Sequence, residues 1–246
     1  MSNNSERNWW EFYGVRYAQG TVIGAMIVYF LFSQNENLGK LLFLPKEAKD
    51  FGIAHLTLLA IYGLTYCYIA SAPILVFHAG RAFMFKSAIN PTPYKGIYSR
   101  IPLILIIALG IPAYLAACNR FTPTQASAAG SYALMLTLQF RVVEAILRSR
   151  WSDAIKYYTT IINKRKSGKH SEYIESYRHM REHGNSFLIV IFQMLLAFPL
   201  YALACAPSFE PLDSIRNGFI ILFLWTAPAA FIWAYAIKIE NNLQNL

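Results

Sequence analysis

The residues best suited to chemistry in this 246-residue chain are His179-Met180-Arg181-Glu182-His183. Two histidines four apart share a helical face and can hold one zinc ion, with Glu182 as general base, in the H-x-x-E-H order of one class of zinc hydrolase. A catalytic zinc also needs a third protein ligand and a substrate pocket. The acidic residues downstream, Glu210 and Asp213, fall on the opposite side of the membrane in the topology derived below. Gly184 follows at once and is expected to cap and end the helix. The cluster is therefore open to three roles: a zinc site, a pH-responsive histidine pair, or plain packing of a charged helix end, of which the last is preferred. No metal or other cofactor is expected.

A second group lies inside an apolar run: Gln139, Arg141 and Glu144. Arg141 and Glu144 are three apart and can pair on one helix face. Charges within a membrane helix are costly and turn to the bundle interior, a cavity or an ion path. The alternative is a helix that ends early, near Leu138, leaving the pair among headgroups. His78 and Arg81 lie at the same expected depth on another helix, so His78, Arg81, Arg141 and Glu144 can form a polar lock at the inner end of a bundle, either gating a path or fixing helix register.

The third group is basic: Lys164, Arg165, Lys166, Lys169 and His170. Beside a cytoplasmic leaflet such a cluster attracts anionic lipid, about 1 kcal/mol per side chain. An acidic surface on a soluble protein is the second candidate partner. Nucleic acid is the third and least favoured, because nothing here resembles a base-reading module. Gly20 and Gly24, four apart, and Ala129, Gly130 and Ala133 are small-residue faces for close helix packing, within one chain or between copies. Phosphate-binding loops, nucleophile elbows, dinucleotide fingerprints and EF-hand loops are all absent from the sequence, which lowers the prior on an enzyme.

What positions these residues is a set of apolar helices. Hydrophobic residues make up 56% of the chain and charged residues 14%, too few for the polar surface of a soluble domain, where about 25% is usual. A bilayer core needs roughly 17–25 apolar residues per helix. Six stretches qualify, at about residues 17–33, 55–77, 101–118, 124–147, 187–206 and 217–237. The third is short and holds Pro102 and Pro112. The first is uncleaved, because it is preceded by Glu6 and Glu11 and followed by no small-residue cleavage pattern. Three cysteines, Cys67, Cys118 and Cys205, match no zinc or redox spacing and read as small hydrophobes.

The net charge of +9 is concentrated in connections. Arg81, Lys86, Lys95 and Arg100 follow the second run, and nine Lys and Arg between Arg148 and Arg181 follow the fourth. Only Arg120 follows the third and only Arg216 the fifth. Lys40, Lys46 and Lys49 after the first are a mild conflict. The positive-inside bias then puts the even connections and both termini in the cytoplasm, in a membrane of the bacterial inner type. Trp9 and Trp10 before the first run, Trp151 after the fourth, and Trp225 and Trp233 in the sixth fit an interfacial aromatic belt. Residues 6–16 are expected to lie on the interface as a short helix. Residues 148–186 are too few for a core of their own and form a basic helical hairpin, expected to prolong the fourth and fifth helices.

The expected fold is thus an all-α integral membrane protein: six transmembrane helices with a cytoplasmic hairpin between the fourth and fifth. It divides into residues 1–147, the hairpin 148–186, and residues 187–246. The expected function is a non-enzymatic subunit that forms homo-oligomers, docks a soluble cytoplasmic partner through the hairpin, or both. Small membrane proteins encoded beside a cytosolic partner, including those of anti-phage systems, share this shape, by analogy only. The alternatives are a small channel or transporter lined by the fourth helix, and a membrane-embedded hydrolase using His179, Glu182 and His183.

Overall fold

The structure is a computed structural model and describes residues 3–33, 39–40, 42–45, 47–84, 103, 105–118, 122–166, 171–205 and 211–244. Every extended element among them is helical: α1 (Asn3–Ser33), α2 (Ile53–Met84), a π turn (Ile106–Gly110) leading into α3 (Ile111–Ala117), α4 (Pro123–Arg148), α5 (Trp151–Lys166), α6 (Ser171–Ala204) and α7 (Pro211–Gln244). Four stretches, Ile53–Gly80, Pro123–Arg148, Gly184–Ala204 and Leu212–Gln244, are long and apolar enough to cross a membrane, and Tyr17–Ser33 is a shorter apolar helix. The chain is therefore a helical protein of the integral membrane class. The π turn and α3 hold five and seven residues. At 1.5 Å per residue that is about 18 Å, short of a core of about 30 Å.

Local chemistry sets the ends of these elements. α4 opens with a capping box: the Gln125 N–H donates to Thr122 Oγ1 at 3.2 Å, the Thr122 N–H donates to Gln125 Oε1 at 3.0 Å, and Pro123 occupies the first turn. It closes at Ser149, which turns extended while its N–H still donates to Ala145 O at 3.1 Å and its hydroxyl to Ile146 O at 2.6 Å. Pro112 has no N–H to give to the Ala108 carbonyl, and the helix passes through the π turn just before it.

By packing, the chain forms two compact units. The first comprises Met1–Ser71 with Met180–Phe223 and the second Ala72–His179 with Leu224–Leu246. In the first unit α1 and α2 cross at glycines. A Cβ on Gly24 would strike the Gly63 carbonyl oxygen, and one on Gly63 would strike Thr21 O and lie 2.5 Å from Ala25 N. A Cβ on Gly20 would strike Cys67 Sγ and lie 3.4 Å from Ile189 of α6. The small-residue face of α1 thus serves packing within the chain. Tyr17 stacks on Tyr68 with ring centroids 4.9 Å apart.

In the second unit the C-terminal halves of α2, α4 and α7 share a core of Val76, Val142, Ala145, Ile146, Ile232 and Ile239, completed by Ala154 of α5. Tyr132 stacks on Trp225 at 6.0 Å with the rings 10° from parallel. Tyr132 meets Trp225, and on both helices the residues of the shared core, Val142 to Ile146 on α4 and Ile232 to Ile239 on α7, follow C-terminal to these rings, so the two helices run the same way. The turn of chain at Ala108 packs on Gly130, where an added Cβ would sit 3.1 Å from the Ala108 oxygen.

Several sequence expectations are corrected. Residues 6–16 do not form a separate interfacial helix; they are continuous with the first apolar run in α1. α4 spans the fourth run, 124–147, and the alternative of an early end near Leu138 is the one overturned, because Ser149 is the first residue to leave helical geometry. Gly184 does not cap a helix. α6 passes straight through it, and no atom lies within 4 Å of a Cβ placed there. Trp225 is no belt residue but is fully buried against Tyr132. α5 does not prolong α4, since the chain breaks at Ser149 and folds α5 onto the core. α6, by contrast, does carry the fifth apolar run back through residues 171–183 in one helix.

Gly184 is thus an exposed glycine in mid-helix with free space around it. Glycine costs about 1 kcal/mol there relative to alanine. Gly184→Ala should raise the thermal unfolding midpoint in detergent by a few degrees, and a fall would mean that the helix bends there.

Candidate functional site

The part of the second unit formed by the C-terminal half of α4 gathers that helix's polar residues. Gln139 is fully buried. It lies on the stripe between the Tyr132–Trp225 layer and the aliphatic core of Val142 and Ile146. Both of its amide atoms lack a hydrogen-bond partner among the described residues. An amide without a partner in an apolar interior costs a few kcal/mol. Two residues on, the Arg141 guanidinium pairs with the Glu144 carboxylate, the side chains being 12% and 23% exposed. Arg148 donates to the other oxygen of Glu144 at 2.9 Å. One carboxylate thus holds two guanidiniums of its own helix, which keeps both charges off the apolar faces.

His78 is half-buried on α2, two residues beyond Val76 of the shared core. Arg81 is on the same helix, and its side chain lies outside the described residues. The structure therefore brings Arg141, Glu144 and Arg148 together and sets the α2 end that carries His78 into the same core.

Below this site α5 forms a seat. Its apolar face is pressed onto the core: Ala154 is fully buried, and Trp151, Ile155, Tyr157 and Tyr158 pack around it. Trp151 meets Tyr235 edge to face at 5.2 Å, and the Lys238 ammonium stands 4.9 Å over the Trp151 ring. Ser152, Asp153, Lys156, Ile162 and Asn163 face outward. Lys164, Arg165 and Lys166 end this helix with side chains outside the described set, and Lys169 and His170 lie wholly outside it.

The H-x-x-E-H residues fall on α6, which is helical through His179, Glu182 and His183, so the i, i+3, i+4 backbone spacing is kept. Their side chains lie outside the described residues. Among the described residues no three His, Cys, Asp or Glu side chains converge.

One polar centre escaped sequence reasoning. In the first unit Gln193 is fully buried; its Nε2 donates to Gly20 O at 2.8 Å, and the Tyr66 hydroxyl donates to the Gln193 backbone oxygen at 2.7 Å. These bonds tie α1, α2 and α6 at the glycine crossing. A lone glutamine in an apolar run was the available signal, and its partners are 127 and 173 residues away.

Two polar centres are thus defined at residue level: a glycine-and-glutamine crossing in one unit, and a charged, amide-bearing centre with a seated basic helix in the other. Comparison of the chain with protein-family models, with curated proteins and with solved structures finds no match.

Proposed function

We propose that the chain is a non-enzymatic membrane subunit with six crossings and both termini in the cytoplasm, which presents its basic segment to a soluble partner with an acidic surface. The observation that carries this is the seating of α5. A tether would leave the basic residues on a loose arm, whereas here the helix that bears Lys164, Arg165 and Lys166 is held by Ala154, Trp151, Tyr235 and Lys238. A preorganised surface loses less entropy on docking than a loose one.

Within the second unit, the chain direction supports six crossings. α2, α4 and α7 all bring their C-terminal halves to one core, which fits a chain that returns to the other end between α2 and α4. The apolar stretch in the sequence on that path is residues 101–118, of which the π turn and α3 cover about 18 Å. The Lys and Arg balance of the connections supports the cytoplasmic side for α5. Homo-oligomerisation through other faces is part of the same proposal.

The test is co-purification from native membranes with mass-resolved stoichiometry. A soluble protein should accompany the wild-type chain and be lost when Lys164, Arg165, Lys166 and Lys169 are replaced by Glu. An unchanged protein profile, with only lipid lost, would assign the cluster to the leaflet instead. Orientation is checked separately in a Cys118→Ser, Cys205→Ser background. Ser87→Cys and Ser167→Cys should resist an impermeant maleimide in intact cells, and labelling of either overturns the topology. The native Cys118 and Cys205, both exposed, should label from outside.

A polar path along α4 is the second reading, and Gln139 is the observation that favours it. It predicts that Arg141→Ala changes ion leak from liposomes while the protein stays folded.

A further inference from the structure

The first unit contains a cavity of about 350 Å³ that the sequence did not announce. It lies where the end of α1, the start of α2, the end of α6 and the start of α7 come together, with Leu31, Phe32, Tyr62, Leu203, Gly218 and Phe219 among its walls. Its polar side chains are few. The Tyr62 hydroxyl is turned to the Leu42 carbonyl at 3.4 Å, and Ser214 is buried. A volume of this size sits at the lower end of small-molecule sites, roughly 300–1,000 Å³. At roughly 30 Å³, the liquid volume of a water molecule and near that of a methylene, it takes about a dozen methylene groups.

Gly218 keeps this space open. Glycines at the α1–α2 crossing are there because backbones touch. Gly218 has no such reason, since the nearest atom to an added Cβ is Leu203 Cδ2 at an ordinary 3.8 Å. A larger side chain there would project among the cavity walls. At one edge, Phe32 also lines a smaller chamber of about 190 Å³ together with Ser33, Gly39 and Lys40. An apolar chamber thus adjoins a chamber with a cation, where the Ser33 hydroxyl donates to the Phe30 carbonyl at 2.9 Å, at the end of an apolar helix where the membrane reading puts a headgroup layer.

We infer that this pair of chambers binds one anionic membrane lipid: a hydrocarbon chain in the cavity walled by Leu203, Gly218 and Phe219, and a phosphate beside Lys40. The assignment rests on the membrane reading of the chain. On the proposed topology the lipid belongs to the outer leaflet, away from the basic segment.

The experiment uses the full chain in vesicles of phosphatidylcholine containing phosphatidylglycerol with a photoreactive diazirine in its acyl chain, followed by peptide mapping of the adducts. Adducts should concentrate on cavity residues, and excess unlabelled phosphatidylglycerol should compete them at least tenfold better than phosphatidylcholine. Gly218→Leu should reduce the cavity adducts about tenfold while leaving those on the exposed Met26 and Phe30 of α1 unchanged. Leu203→Trp should act likewise, as a second filling variant if the first misfolds. Lys40→Glu should remove the preference for the anionic lipid. Adducts spread evenly over exposed apolar positions, insensitive to Gly218→Leu, would overturn the site; equal competition by the two lipids would overturn its anionic half. Flotation of the same vesicles separates the two readings. A protein that floats without cavity adducts sinks only the lipid site, and one that does not float sinks the membrane reading with it.

Discussion

Gly63→Ala is expected to cost about 3 kcal/mol, the upper end of the usual range for overpacking, and Gly63→Leu should give no folded protein. The reason is that the added Cβ meets main chain, not a side chain that can rotate. Thr21 O and Ala25 N of α1 stand in its place. Relief requires α1 and α2 to separate, and separation breaks the bonds of Gln193 to Gly20 and of Tyr66 to Gln193. Gly24→Ala should behave in the same way, because it strikes the Gly63 carbonyl. Gly218→Ala is the control, with open space and a near-neutral effect. Thermal unfolding in detergent followed by helical circular dichroism, with size-exclusion chromatography for aggregation, measures all four variants. A Gly63→Ala protein as stable as wild type would mean that the helices do not cross there.

Glu144→Ala should be the second most damaging change, at about 3 kcal/mol. Removing one partner of a largely buried ion pair typically costs 3–5 kcal/mol, because the other charge is left behind. Here it leaves the 12%-exposed Arg141 without this carboxylate, on the same helix face as Arg148. Glu144→Gln keeps an acceptor oxygen and should cost less. Arg141→Met combined with Glu144→Leu should recover most of the loss, since apolar replacements of a buried pair are often neutral or stabilising. Melting temperatures in detergent decide this, and recovery in the double variant is the decisive number. Liposome leak measured on Arg141→Ala adds the functional half. A lower melting temperature with no leak makes the pair an organiser of the bundle, and leak from a folded protein makes it part of a path.

The apolar runs and the acid–base pair were legible because both depend on neighbours in sequence. Long apolar stretches at residues 55–77, 124–147 and 217–237, and that at 187–206 as far as Ala204, lie within helices long enough to cross a membrane, and Arg141 and Glu144 pair because three residues make almost one turn. Gly20 and Gly24 could be read as a packing face, but Gly63 could not be read as its counterpart. That contact joins residues about forty apart, and nothing local marks it. Gln193 was hidden for the same reason.

The errors have physical causes too. Gly184 has the residue type of a helix cap, yet a cap also needs a chain that turns away, and here the following residues continue as an apolar helix. Trp225 has the amphipathic ring of an interfacial residue, but its depth is set by Tyr132 on another helix. The break after Arg148 falls where Ser149 turns extended, and its hydroxyl bond to the Ile146 carbonyl is no signal for it, since Ser71 and Ser131 make the same bond to the third residue back inside continuous helices.

The seat of α5 has a consequence for biosynthesis. Trp151 leans on Tyr235 and Lys238, and Ala154 is covered by a core that includes Ile232 and Ile239. Those residues leave the ribosome some eighty positions after α5 itself. Until α7 has been made, α5 has no complete surface to lie on, and its tryptophan and tyrosines stay uncovered. Contacts between residues so far apart in sequence form late in folding. α5 therefore reaches its final seat only in a finished chain, and a partner of the proposed kind that reads the seated helix would discriminate completed molecules from nascent or truncated ones.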